Sequence, residues 1–95
     1  MPTKRIAFTV HGLVQGWDHF VVVNFAVQRA VSDRVTGWVK NAQDGTVVGE
    51  AQGDEQQLEK FIKHLNQGPP AANVTKVEQR EIEAKEGEDD FQRRR

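Results

Sequence analysis

The sequence predicts an α+β fold in which two helices pack on one face of an antiparallel sheet. Three observations lead to this fold: stretches with a two-residue apolar period, two stretches with helical spacing, and turn residues that separate them. They give the order strand, helix, strand, strand, helix, strand. A chain of 95 residues is long enough to bury one modest core, so we expect a single domain over 1–95.

The first strand and the first helix are predicted from different periods of apolar residues. Ile6, Phe8 and Val10 alternate with other residues, as in a strand with one buried face, and Gly12 ends that strand. Small and apolar residues then recur at helical spacing between about 22 and 33. The start of this helix is ambiguous, because the three valines at 21–23 are β-branched and favour extended backbone.

A hairpin and a second helix follow. Residues 35–41 and 46–52 are predicted as strands, joined through the turn signal Asp44-Gly45. Asp54 is placed to cap a helix from 55 to about 67. The apolar face of that helix consists of Leu58, Phe61, Ile62 and Leu65.

The chain ends with one predicted strand and a short edge strand. Gly-Pro-Pro at 68–70 stops the second helix, residues 74–82 form a half-exposed strand, and residues 90–93 add a short edge strand. The element order is that of a ferredoxin-like βαββαβ sandwich with right-handed crossovers.

Composition narrows the function classes. The net charge of −1 gives no electrostatic basis for binding nucleic acid or an anionic membrane, and the absence of cysteine excludes disulfides and thiol catalysis. An RNA-recognition module has the same element order, but it needs several aromatic residues on the central strands. In this chain, Phe8 is the only aromatic residue of the first strand. The N-terminus has no apolar stretch long enough for a signal peptide, so we expect a cytoplasmic protein.

Short motifs along the chain resemble those of the acylphosphatase family. They are GLVQG at 12–16, GWVKN at 37–41, DGTV at 44–47, QG at 52–53 and GPPA at 68–71. The resemblance implies hydrolysis of the mixed anhydride of small acyl phosphates, without a metal or another cofactor. It also implies that a loop after the first strand binds the phosphate, or inorganic phosphate, through backbone N–H groups.

The resemblance assigns roles to individual residues. Asn41 falls on the family's asparagine, which orients the attacking water, and Thr46 falls where a hydroxyl residue often supports the site. The N–H groups that would bind the phosphate are those of Gln15, Gly16, Trp17, Asp18, His19 and Phe20. Fixed N–H dipoles suit this chemistry, because a transferred phosphoryl group spreads negative charge over its oxygens.

The loop departs from the family pattern after Gly16. The family continues with roughly Val-x-Phe-Arg, whereas this chain has WDHFVVV at 17–23. If the family's helix aligns from Asn24 on, the loop is about three residues longer, and the loop arginine is absent with or without that gap. Arg29 and Arg34 are too far along the helix to replace it. The confined change resembles a replaced or engineered loop, or a locally decayed copy, and we expect strongly reduced activity. Asp18 would repel the substrate if it faced the phosphate.

A second departure lies at the end of the first helix. The family pattern has glycine where this chain has Arg34, and glycine closes a helix with positive φ at little steric cost. Arginine must accept strain there or end the helix differently.

Other functions remain open from the sequence. The chain could be a non-catalytic anion-binding domain, or a structural or self-associating scaffold. A monomer is expected, although residues 17–23 could form an exposed apolar patch or an extended segment that supports a dimer or strand exchange. Asp18, His19 and His11 are weak candidates for a metal site, and His64 is expected to be a solvated surface histidine.

Overall fold

The computed structural model describes residues 3–12, 16–69 and 72–94, with the backbone alone described at 16–19. Within these ranges, five strands and two helices follow one another along the chain. They are β1 (Thr3–His11), α1 (Gly16–Ser32), β2 (Thr36–Asn41), β3 (Val47–Asp54), α2 (Glu55–Gln67), β4 (Lys76–Ile82) and β5 (Phe91–Arg93).

The strands form one sheet in the order β4-β1-β3-β2-β5. The pairs β1–β3, β1–β4 and β2–β3 are antiparallel, whereas β5 runs parallel to β2. The predicted α+β ferredoxin-like fold is confirmed, and β5 makes its sheet mixed rather than wholly antiparallel.

The core lies between the sheet and the two helices. Alternation along β1 buries Ile6, Phe8 and Val10 as predicted. The Phe61 ring of α2 lies at the centre of this layer, with its centroid 5.6 Å from the Phe8 ring and 5.6 Å from the Phe91 ring, both edge to face. Phe91 therefore fixes β5 against the core.

Helix α1 begins at Gly16, earlier than the predicted start near residue 22. The valines at 21–23 are helical, because Val22 and Val23 are 1% and 2% exposed and their burial outweighs their weak helix preference. The backbone is already helical from Gly16 onward, so the structure does not show the expected longer loop or an extended valine segment.

Helix α1 ends in a Schellman motif. The N–H of Arg34 donates to the carbonyl of Val31 at 3.2 Å, and the N–H of Val35 donates to the carbonyl of Ala30 at 3.0 Å. Arg34 has φ 60°, so arginine accepts the left-handed conformation that the family pattern leaves to glycine.

Helix α2 has the predicted bounds and cap. The Asp54 carboxylate accepts from the N–H of Gln57 at 2.8 Å, and the Gln57 side chain accepts from the N–H of Asp54 at 3.1 Å. This capping box satisfies two backbone donors at once.

The expectation that His64 is a solvated surface residue is wrong. Its Nδ1 lies 2.7 Å from Asp33 Oδ2, and its Nε2 lies 2.9 Å from Arg29 Nη2. Because arginine can only donate, Nε2 accepts and Nδ1–H donates to Asp33. The imidazole therefore links α2 to the end of α1.

The outer face of the sheet carries an ionic cluster around Arg5, whose side chain is 2% exposed. Its guanidinium donates to Glu50 at 2.8 Å and to Glu88 at 2.8 Å. Glu88 belongs to the segment between β4 and β5, so this cluster anchors the segment that delivers β5 to the edge of β2.

Neither helix, as far as the described residues extend, is long and apolar enough to cross a membrane.

Candidate active site

A cavity of about 630 Å³ opens where the end of β2, the first turns of α1 and β5 meet. It includes Asn41, the predicted catalytic residue. The described residues that line it are Phe20, Val23, Asn41, Arg93 and Arg94.

Asn41 is the last residue of β2, and its side chain is exposed. Side chains alternate along a strand, so Asn41 lies on the same sheet face as the buried Val39, which is the face that the helices cover. The pairing of Asn41 with Val47 fixes its position at the end of the hairpin. The amide is thus held at the cavity while remaining open to solvent.

The predicted phosphate-binding N–H groups divide into three sets. Gln15 lies outside the described residues. Gly16, Trp17 and Asp18 form the first turn of α1, whose N–H groups have no acceptor within a helix. His19 and Phe20 follow at the position where the helical hydrogen-bond ladder begins, so the Phe20 N–H is directed toward the carbonyl four residues earlier.

The N-terminus of α1 is electropositive, as the N-termini of α-helices are in general. The aligned peptide dipoles and the open N–H groups give a helix N-terminus a partial positive charge that favours anions. The side chains of Trp17, Asp18 and His19 lie outside the description, so the predicted effect of the Asp18 carboxylate stays a prediction.

Phe20 and Val23 provide the apolar side of the cavity. Phe20 is 59% exposed, whereas Val23 belongs to the core. Within the segment 17–23, Val22 and Val23 therefore pack in the core, whereas the Phe20 side chain is open to solvent.

Thr46 lies in the turn between β2 and β3, close in sequence to Asn41. Its hydroxyl donates to Asp44 Oδ1 at 2.6 Å, and its N–H donates to the same oxygen at 3.1 Å. These two hydrogen bonds lower the pKa of the exposed Asp44 carboxyl. Thr46 therefore stabilises the hairpin turn that carries Asn41.

Arg93 places a guanidinium beside the cavity, although the loop after β1 contains no arginine. Arg93 Nη1 donates to Asn24 Oδ1 at 2.7 Å, and Arg93 Cζ lies 5.6 Å from the centre of the Phe20 ring. Phe20 and Asn24 are one helical turn apart, so both contacts lie on the same stripe of α1. Arg93 approaches from β5.

Arg94 also lines the cavity, but its guanidinium stacks on a ring of the outer sheet face. Its Cζ lies 4.9 Å from the centre of the Trp38 ring, which also has Lys40 Nζ at 5.7 Å. Trp38 alternates with Val39 along β2, so this stack lies on the outer face of the sheet.

The two arginines considered from the sequence are elsewhere. Arg29 contacts His64, and Arg34 follows the C-terminus of α1, at the opposite end of the helix from the cavity. Sequence reasoning missed Arg93. The basic run 93–95 and the predicted strand at 90–93 were visible, but the pairing of that strand with β2 was not.

The histidines and acids do not form a metal site in the described part of the chain. No three or more His, Cys, Asp or Glu side chains converge there. His11 Nε2 instead pairs with Glu78 Oε1 across the β1–β4 edge.

Several known proteins that resemble this chain belong to one family. The family model described as acylphosphatase matches residues 6–93. A Chlorobaculum tepidum protein named acylphosphatase is 37% identical over 83 residues, covering 87% of this chain and 87% of that protein. One from Bordetella avium is 42% identical over 77 residues, covering 81% of this chain and 79% of that protein.

A solved structure shows the same fold. The structure of an acylphosphatase from Coxiella burnetii matches with a TM-score of 0.85 and 34% identity, covering 97% of this chain and 93% of that one. Since the family model spans most of the sequence and these similarities extend over nearly all of the fold, the chain belongs to the acylphosphatase family.

Proposed function

We propose that this protein hydrolyses small acyl phosphates in the cavity at Asn41, at a rate well below that of relatives that carry the loop arginine. The observation that supports the site is the meeting of Asn41 with the N-terminal turns of α1 in one cavity. These are the two parts that hold the water and the phosphate in the family to which the chain belongs.

The reaction needs positioning more than covalent chemistry. A water oxygen forms a bond to phosphorus, the bond from phosphorus to the bridging oxygen breaks, and its electron pair leaves on the carboxylate. One proton of the water remains on the phosphate formed and the other passes to a phosphate oxygen or to solvent. The Asn41 amide orients the water, and the N–H groups at the start of α1 stabilise the phosphoryl charge.

The low rate follows from the residue type at the loop arginine's position, which is apolar in this chain. A positioned arginine contributes roughly 10³–10⁵ to phosphoryl transfer, because it stabilises charge on the equatorial oxygens. Arg93 is exposed and comes from a short edge strand, so it is less preorganised than an arginine held within a closed loop.

The role of Asn41 is tested with benzoyl phosphate as substrate. We expect Asn41→Ala to lower kcat/KM by about 10²-fold or more, because the water loses its oriented partner. Gln43→Ala is the matched control, since Gln43 is an exposed amide in the adjacent turn and does not line the cavity. Equal activity of Asn41→Ala and the control would contradict the proposal.

The reduced rate is tested by supplying an arginine. Phe20→Arg places a guanidinium on an exposed cavity position, and we expect kcat/KM to rise by at least about tenfold. Val31→Arg is the control, because Val31 is 68% exposed near the other end of α1. A wild-type turnover equal to that of an arginine-bearing relative would show that the rate is not reduced.

A non-catalytic anion-binding domain is the second candidate. The cationic, solvent-open cavity supports it independently of turnover. Phosphate binding without benzoyl phosphate hydrolysis would favour this function over the first.

A further inference from the structure

We propose that Arg93 is the phosphate-binding cation of the Asn41 cavity and that it replaces, from the C-terminal strand, the arginine that the loop lacks. The role in hydrolysis rests on the proposed function, whereas the binding of a phosphate group does not. The position of Arg93 follows from the way β5 is added to the sheet.

The sheet register brings Arg93 to the face that carries Asn41. Arg93 pairs with Val39 in the parallel β2–β5 ladder, and Asn41 is two residues beyond Val39. Both side chains therefore lie on the helix-covered face. A strand spacing of about 4.8 Å and a rise of about 3.3 Å per residue place their Cα atoms about 8 Å apart. A phosphoryl group and its attacking water fit within the reach of these two side chains.

Contacts with α1 direct the guanidinium without occupying all of its donors. Its Nη1 donates to Asn24 Oδ1, and its Cζ lies over the ring of Phe20. Arginine has five N–H donors, and among the described residues this is the one hydrogen bond that the Arg93 side chain makes. Donors thus remain for an anion, and the planar fork matches two phosphate oxygens.

The charges around the cavity favour an anion. Its described lining contains two arginines and no acidic residue. The positive end of the α1 dipole adds to the Arg93 charge on the same side. Because Asn41 and Phe20 are uncharged, no described side chain in the lining competes with a phosphate for the guanidinium.

Arg80 provides a matched control at the opposite edge of the sheet. It has the same side chain and is exposed on β4, and it does not line the Asn41 cavity, whereas Arg94 does. Replacing Arg80 or Arg93 removes the same net charge from the protein. A site-specific role of Arg93 is therefore separable from a general effect of charge.

The test titrates inorganic phosphate into the wild type, Arg93→Gln, Arg93→Lys and Arg80→Gln at pH 7, with binding followed by calorimetry and by amide NMR shifts. We expect Arg93→Gln to weaken binding at least about tenfold, and Arg80→Gln to change it less than about twofold. Arg93→Lys keeps the charge but not the fork, so its affinity should fall between these values. Thermal unfolding of each variant shows that the fold is retained.

The outcomes separate this inference from the proposed function. Unchanged phosphate binding in Arg93→Gln, an equal loss in both glutamine variants, or no binding by the wild type would overturn the role of Arg93. Benzoyl phosphate hydrolysis that persists in Arg93→Gln would leave the proposed function standing without Arg93. Phosphate binding lost in Arg93→Gln, in a wild type that does not hydrolyse benzoyl phosphate, would support the binding role and overturn the catalytic one.

Discussion

At the scale of single residues, Arg34 shows a local cost that the fold tolerates. Its φ of 60° closes the Schellman motif after α1, a conformation that costs a residue with a Cβ about 1–2 kcal/mol. The side chain is exposed, so nothing in its burial requires arginine there.

Arg34→Gly is expected to stabilise the protein by about 0.5–1 kcal/mol, because relief of the left-handed strain exceeds the greater unfolded-state entropy of glycine. Urea unfolding measures the change as a shift in midpoint at constant slope. The control is Gln28→Gly, an exposed position inside α1, which should destabilise by about 1 kcal/mol. A destabilised Arg34→Gly protein would contradict the strain argument.

At the scale of elements, His64 connects α2 to the C-terminal turn of α1. The Asp33 side chain is 4% exposed, and its Oδ2 lies 2.7 Å from His64 Nδ1. This contact joins two helices that are far apart in sequence, so it adds specificity to the packing of apolar faces.

His64→Ala is expected to destabilise the fold by about 1–3 kcal/mol, because it leaves the buried Asp33 carboxylate without its imidazole donor. Chemical denaturation measures the loss. His11→Ala is the matched control, since the His11–Glu78 pair is a surface contact with side chains 34% and 54% exposed, and it should cost less than about 1 kcal/mol. Equal costs would show that the link between the helices adds little.

At the scale of the whole molecule, the Arg5 cluster connects the sheet to the segment before β5. Burial works to raise the pKa of Glu88, but hydrogen bonds from Arg5 and Thr36 and the Arg5 charge outweigh it, so the pKa lies below its ordinary 4.5. The hydrogen bond that Arg5 donates to Glu88 in turn raises the pKa of Arg5, with burial opposing it.

The stability of the fold should therefore depend on pH through Glu88. A carboxyl with a lowered pKa in the folded state stabilises the protein fully above its unfolded pKa, near 4.5, and loses that contribution as the pH falls through the folded value. Glu88→Gln should flatten the fall in unfolding free energy below about pH 4.5, measured by urea unfolding across pH 3–7. Glu86→Gln, at an exposed neighbouring position, should leave the wild-type slope.

The same cluster bears on the site, because it anchors the segment that leads into β5. Loss of Glu88 should loosen that segment and with it the placement of Arg93. A substitution of Glu88 would then weaken phosphate binding and lower stability together. Arg93→Gln, in contrast, is expected to weaken phosphate binding alone.

Local signals were sufficient for several parts of the fold. The apolar face and capping residues of α2 lie within one stretch of chain, so its bounds follow from the sequence. The alternation of buried residues likewise predicts β1, and the Asp44-Gly45 turn predicts the β2–β3 hairpin that carries Asn41. These features depend on neighbours in sequence.

Other features were decided by residues distant in sequence. Burial of Val22 and Val23 against the sheet makes their segment helical despite their preference for strands. The hydrogen bond from His64 to Asp33 makes His64 a link between the two helices, where the sequence predicts a surface residue. Sequence alone determined the family scaffold and the place of Asn41, because periodicity and turn chemistry act locally. Only tertiary structure decided that Arg93 borders the cavity, since that depends on which strand β5 joins and on its register.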